Sequence, residues 1–284
     1  MRKKLLFPVM IALNFFLGFE SAGYQMTVLS MAEEFQVSSG AMGVMIAAQY
    51  AAIMLMPLIF GRLSDTWGKK KVLLVSVPMF LIGCGIATLS RSALVFTAGI
   101  FILGGGYSIS ECISGAALVD ANPENADRSV NTAQFLFSMG AVASPLITRA
   151  LMDRGVNWRA PFFLCGAAYL VLFVLLLFTD VPEPRVRTPL EEAPKTGGIR
   201  QVLSIPGFWL LVAAMIMYVG LENGIVYFAD TLFTNELNAA AFGSYAISLF
   251  WLSMGVSRLL FSLFRYSAEK VVLACQLCIG VALA

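Results

Sequence analysis

GRLSDTWGKKKVLL, residues 61–74, is a short polar stretch between two long apolar runs. It carries Arg62, Asp65, Lys69, Lys70 and Lys71, whereas Ala41–Phe60 before it and Val72–Leu89 after it hold no charged residue. Each run is of a length to cross a bilayer as a helix, which takes roughly 20 apolar residues. The runs are continuous rather than alternating with a period of two, so they read as helices and not as barrel strands. A cationic turn between two such runs marks a membrane surface at which the chain turns back.

The same pattern recurs outward from this turn. Candidate spans are Leu5–Met31, Ala41–Phe60, Val72–Leu89, Leu94–Val119, Thr132–Leu151, Ala160–Thr179, Phe208–Ala229, Phe242–Phe264 and Val271–Ala284. The first follows Arg2, Lys3 and Lys4 in the manner of a signal peptide, but it is long, carries Glu20 and lacks a clean cleavage site. It is expected to be retained. The ninth run stops after 14 residues with no polar flank, so the chain is expected to be C-terminally incomplete. One connection is long: 181–206 contains Pro182, Pro184, Pro189, Pro194, Gly197 and Gly198 and reads as a cytoplasmic linker. The expected organisation is therefore a six-helix transmembrane bundle over 1–180, the linker, and a partial bundle of three helices over 207–284. With the N-terminus in the cytoplasm, 14 Lys and Arg residues fall on the cytoplasmic side and 4 outside, which fixes the expected orientation.

Composition agrees with an all-α polytopic membrane protein. Of 284 residues, 59% are hydrophobic and 13% charged, against about 25% charged in soluble domains. The net charge of +2 offers no footprint for nucleic acid. Histidine is absent, which removes His-based catalytic triads, metal sites and proton relays. The five cysteines lie inside apolar runs and read as packing thiols. Gly104, Gly105 and Gly106 sit in an apolar run with no phosphate-loop lysine and read as a close helix contact. No cofactor, metal or enzymatic activity is indicated.

The first and seventh spans resemble each other. At an offset of 202, Gly18 meets Gly220, Glu20 meets Glu222 and Glu34 meets Glu236. Both spans begin a half of the protein in the same orientation, as in transporters built from parallel six-helix repeats.

In residues 61–74, Gly61, Arg62, Asp65, Gly68, Lys69 and Lys70 match in order, spacing and position the signature loop of the major facilitator superfamily, which the chain resembles over its whole length. The resemblance implies the first nine of twelve helices and a gating role for this loop. Gly61 is expected to let a helix end pack closely and Gly68 to permit a tight turn. Within the family, residues 104–141 resemble the fucose-permease-like sugar permeases through Glu111 in span four, Asn131 and Gln134 opening span five, and Phe137-Ser138-x-Gly140-Ala141. That branch implies a sugar site near Glu111 and Asn131. It also carries an aspartate in span one whose place falls here on Gln25.

Ionisable groups inside a bilayer are costly and are functional candidates by default. Glu20, Glu111 and Glu222 lie deep in their spans; Glu20 is roughly 22 Å along the first helix at 1.5 Å per residue. Tyr24 and Thr27 share the face of Glu20, and Asn131, Gln134 and Ser138 form a second polar face. Such faces line a cavity or glue helices together. The expected substrate-binding set is Glu20, Gln25, Glu111, Asn131, Gln134, Glu222 and Asn223, with Glu111 and Glu20 as proton-coupling carboxyl groups. The reading is a secondary active transporter in the plasma membrane, with a bacterial inner membrane as the expectation. It moves a small polar, sugar-like solute by alternating access, with protons as the coupling ion and the lipid bilayer as its other partner. Efflux of amphipathic compounds and a truncated non-transporting membrane protein remain as alternatives.

Overall fold

The computed structural model describes residues 5–182 and 203–263, with side chains described to residue 260. The expected ninth span and most of the linker lie outside the described residues. Eight long helices are described: α1 (Leu6–Phe35), α2 (Ser39–Trp67), α3 (Lys69–Leu89), α4 (Ala93–Ala121), α5 (Ala126–Met152), α6 (Ala160–Leu177), α7 (Pro206–Thr231) and α8 (Ala240–Leu263). Each contains a segment long and apolar enough to span a membrane. The protein is an all-α, multi-pass membrane protein.

Local chemistry explains where these helices begin and end. Ser38 and Ser92 cap α2 and α4, their hydroxyls accepting the amides of Ala41 at 3.3 Å and Val95 at 3.4 Å. α1 closes on Gln36 in the left-handed conformation, φ 51°. The helices outrun the apolar runs: α1 continues to Phe35 rather than Met31, and α5 starts at Ala126 rather than Thr132. Hydropathy sees only the lipid-facing length, whereas a helix continues until a residue breaks it.

The stretch 61–74 is the clearest instance. It is not a loop. Gly61 to Trp67 form the last turns of α2, Lys69 opens α3, and only Gly68 breaks the helix, with φ 91° and ψ 142°. That backbone is essentially open to glycine alone. The expected close packing at Gly61 does not occur, since a methyl group built there meets nothing within 4 Å.

Close packing instead joins α1 to α5. A methyl group on Gly18 would strike the carbonyl oxygen of Phe137, and one on Gly140 the carbonyl oxygen of Phe15. The two contacts are reciprocal and bring backbone to backbone, as small residues do in membranes. The triple glycine behaves as expected: Gly104 abuts the backbone of Gln49 on α2, Gly105 the side chains of Met56 and Met79, and Gly106 the backbone of Phe80 on α3. An aromatic cluster of Tyr24, Phe35, Phe96, Trp158 and Phe162 fills the core near the far ends of α1 and α4.

The chain alternates direction, so the bundle has two ends. At the Gly68 end, Lys69 is buried and pairs with Asp120 of α4, while Lys70 donates to the Leu177 carbonyl of α6 at 3.1 Å. At the other end Arg159 binds both Glu34 oxygens at 2.7 and 2.8 Å, donates to the Ser90 carbonyl at 2.8 Å and stacks on Trp158. Helices α7 and α8 meet α1 and α5. Trp251 Nε1 donates to Gln25 Oε1 at 3.0 Å, Ser248 Oγ donates to the Val142 carbonyl at 2.9 Å, and Tyr24 meets Tyr227 edge-on at 5.5 Å.

Candidate functional site

A cavity of about 260 Å³ lies between the six-helix unit and α7–α8. It is built on mid-helix positions, so its side chains are placed by rigid elements. Helix α4 supplies Tyr107 and Glu111, one turn apart; α5 supplies Gln134 and Phe137; α2 supplies Gln49 and Tyr50. From the opposite side come Glu222, Asn223 and Tyr227 of α7 and Trp251 and Arg258 of α8.

Polar groups join the two sides. Glu111, Gln134 and Arg258 line the same cavity from the two sides. Arg258 Nη1 also donates to the Gln134 carbonyl at 3.4 Å and to Ser138 Oγ at 3.3 Å. The Tyr50 hydroxyl donates to Asn223 Oδ1 across the interface. Asn223 is further held by its own amide, which donates to the Val219 carbonyl at 2.9 Å.

The expected site residues divide into three groups. Glu111, Gln134, Glu222 and Asn223 line the cavity together. Glu20 and Gln25 stand behind the wall. Glu20 is fully buried, and Gln49 Nε2 donates to both its oxygens at 3.2 and 3.3 Å, so Gln49 separates it from the cavity. Gln25 is equally buried and serves as the acceptor that ties α1 to Trp251. Asn131 is half-buried one turn before Gln134 and does not line the cavity. The matched glutamates of the internal repeat thus occupy unlike places: Glu20 is sealed in the core, Glu222 lines the cavity.

In the stretch 61–70, Arg62 and Asp65 are exposed, and Asp65 forms no ion pair with a described residue. Lys69 and Lys70 tie α3 to α4 and α6. Within the described residues these lysines hold one end of the six-helix unit together.

Sequence reasoning missed Gln49 and Tyr50, which sit in an otherwise apolar span, and gave Arg258 and Trp251 no role in the site. Arg258 did carry a signal, as an arginine placed within the span Phe242–Phe264. Gln49 and Tyr50 carried none beyond polarity.

A second, apolar groove of about 570 Å³ runs between α2 and α7, lined by Gly43, Ile46, Ala47, Met215, Ile216 and Phe228 among others. It shares Tyr50, Val219, Asn223 and Tyr227 with the polar cavity.

A family model described as Major Facilitator Superfamily matches residues 10–284. The glucose/mannose transporter GlcP of Bacillus subtilis is 23% identical over 237 residues, covering 80% of this chain and 58% of that protein. Multidrug resistance protein D of Escherichia coli is 25% identical over 212 residues, covering 72% of this chain and 51% of that protein. The chain spans little more than half the length of these two curated relatives. Among solved structures, the fucose–proton symporter FucP of Escherichia coli superposes with a TM-score of 0.64 at 18% identity, over 93% of this chain and 73% of that one. A D-xylose–proton symporter gives a TM-score of 0.62 at 16% identity, over 90% of this chain and 66% of that one. Similarity at these identities concerns the fold.

Proposed function

The chain belongs to the major facilitator superfamily, and on that premise we propose that it forms the solute-binding part of a secondary active transporter. The solute is small, polar and sugar-like, and its movement is coupled to protons. One observation carries this reading: a single intramembrane cavity gathers Glu111, Gln134, Glu222 and Asn223 with Tyr107 and Trp251 between the two units. Carboxyl and amide groups accept and donate hydrogen bonds to hydroxyls, and aromatic rings offer apolar faces to a sugar ring. The two units meet around the cavity through Ser248 and Val142, Trp251 and Gln25, Tyr24 and Tyr227, and Arg258 and Ser138. Asn131, Gln25 and Glu20 support the site from behind, and the Gly68 turn with Lys69 and Lys70 positions the cytoplasmic end for gating. The membrane is the plasma membrane, a bacterial inner membrane if the bacterial relatives are a guide.

The test is uptake of radiolabelled neutral monosaccharides into vesicles carrying the protein, with an imposed proton gradient. Accumulation that collapses with a protonophore and is lost in Glu111→Gln supports the reading. Uptake indifferent to both pH and protonophore refutes the coupling.

The apolar groove favours a second reading. It shares four residues with the polar cavity, so one ligand with a polar head and an apolar body would contact both. That would make the protein an exporter of amphipathic compounds. Whole-cell accumulation of such compounds that falls when the protein is produced separates the two.

A further inference from the structure

A third cavity, of about 520 Å³, lies at the end of the bundle away from Gly68, where the α3–α4 and α5–α6 connections meet the end of α1. One wall is polar. Thr88, Ser90 and Arg91 come from the α3–α4 side, Asn157 and Arg159 from the α5–α6 side, and Glu34 from α1. The other wall is apolar. It is made by Val156 with Leu89 and Phe163, which are 81% and 62% exposed. Large apolar side chains left open on a membrane protein face lipid.

The charges in this cavity do not cancel. Arg159 binds both Glu34 oxygens, and Trp158 Nε1 donates to Glu34 Oε2 at 2.6 Å, so that carboxylate is already neutralised. Arg91 has no ion pair and no hydrogen bond among the described residues. One cation is therefore in excess. Donors accompany it. Asn157 Oδ1 accepts from the Arg159 backbone amide at 2.9 Å and from Arg159 Nη1 at 3.3 Å, which leaves the Asn157 amide N–H groups free. Two buried atoms of the lining residues, Thr88 Oγ1 and Arg159 Nε, have no partner among the described residues, although buried polar groups are as a rule satisfied. Ala160, the first residue of α6, also lines the cavity and brings the positive end of that helix to it.

We propose that this cavity binds the phosphate headgroup of an anionic phospholipid. The site is separate from the solute cavity, and the proposal holds whatever the solute is. The Arg91 guanidinium offers a planar pair of donors to two phosphate oxygens, and the Asn157 amide offers another. The acyl chains lie against Leu89, Val156 and Phe163. Inorganic phosphate would meet the same cation but gain nothing from the apolar wall. A zwitterionic headgroup would bring its own cation toward Arg91. The bound lipid bridges the two connections beside the Arg159–Glu34 pair.

The experiment is native mass spectrometry of the purified, delipidated chain titrated with phosphatidylglycerol, reading the apparent Kd of the first bound lipid. Phosphatidylcholine with the same acyl chains is the comparison. Phosphatidylglycerol should bind the more tightly. Arg91→Gln should weaken it about fivefold and leave phosphatidylcholine unchanged. Arg91 has no described partner to lose, so this variant should keep the unfolding midpoint of the unmodified chain. Arg154→Gln removes an exposed cation of the same α5–α6 connection that does not line the cavity, and should change little. Ala160→Phe fills the cavity and should weaken phosphatidylglycerol as much as Arg91→Gln does. Equal binding of the two lipids overturns the proposal. So does undiminished phosphatidylglycerol binding by Arg91→Gln or by a folded Ala160→Phe. Equal losses in Arg91→Gln and Arg154→Gln overturn it too, since diffuse surface charge would then be responsible. Radiolabelled inorganic phosphate, in equilibrium dialysis, should not bind. Phosphate binding that Arg91→Gln abolishes would assign the cavity to a free anion and overturn the lipid.

Discussion

Replacing Gly18 by alanine puts a methyl group onto the carbonyl oxygen of Phe137, well inside van der Waals contact. The obstacle is backbone in the middle of a 27-residue helix, so no rotamer change relieves it. α1 and α5 must separate, and the reciprocal contact of Gly140 with the Phe15 carbonyl loosens with them. Overpacking of this kind costs about 1–3 kcal/mol, and a clash with rigid backbone belongs at the upper end. Alanine returns about 1 kcal/mol of helix propensity over glycine. The expected net loss is about 2 kcal/mol for Gly18→Ala, and similar for Gly140→Ala. The double substitution should cost less than the sum, because one separation accommodates both methyl groups. Gly43→Ala is the control: nothing lies within 4 Å of a methyl group there, so propensity alone acts and stability should rise by up to about 1 kcal/mol. Equilibrium unfolding in mixed micelles, followed by tryptophan fluorescence, reads all four variants. If Gly18→Ala is as stable as Gly43→Ala, the proposed seam between α1 and α5 is wrong.

Three further outcomes follow from the same geometry. Gly68→Ala should lose about 1–3 kcal/mol, because φ 91° with ψ 142° is strained for any side chain, whereas Gly61→Ala should lose nothing; unfolding midpoints compare the pair. Asp120→Ala should cost roughly 2–3 kcal/mol by leaving Lys69 buried and unpaired, a figure reduced below the fully buried range because about a third of the Asp120 side chain is exposed. Adding Lys69→Met should recover part of that loss in a double-mutant cycle. Trp251→Phe should cost about 1–3 kcal/mol, because Gln25 loses its donor and its Nε2 already has no partner among the described residues; Gln25→Leu in the same background should restore stability.

The fold was legible because the membrane imposes a strong signal. Eight of the nine apolar runs fall in described helices, and the triple glycine at 104–106 was rightly read as helix packing. The turn at 61–74 was misread as a loop because charge marks where a chain leaves lipid, not where a helix ends. Only Gly68, with its positive φ, stops the helix. The site was legible in part. Glu111, Gln134, Glu222 and Asn223 sit at helical spacings on polar faces, and the structure brings them together. Depth along a helix could be counted, but rotation about it could not. Glu20 therefore looked like Glu222, although one is sealed behind Gln49 and the other faces the cavity. Arg258 and Tyr50 matter through contacts 120 and 173 residues away in sequence, to Ser138 and Asn223, which no local pattern encodes.

The central claim is that the cavity around Glu111 holds a small polar solute. Equilibrium binding of radiolabelled neutral monosaccharides to the purified chain, measured by scintillation proximity, tests it most directly. The account predicts saturable binding that Glu111→Gln weakens at least tenfold, about 1.4 kcal/mol for one charge-assisted hydrogen bond, and that Gly43→Ala leaves unchanged. Binding of equal strength in Glu111→Gln and the unmodified protein would contradict it.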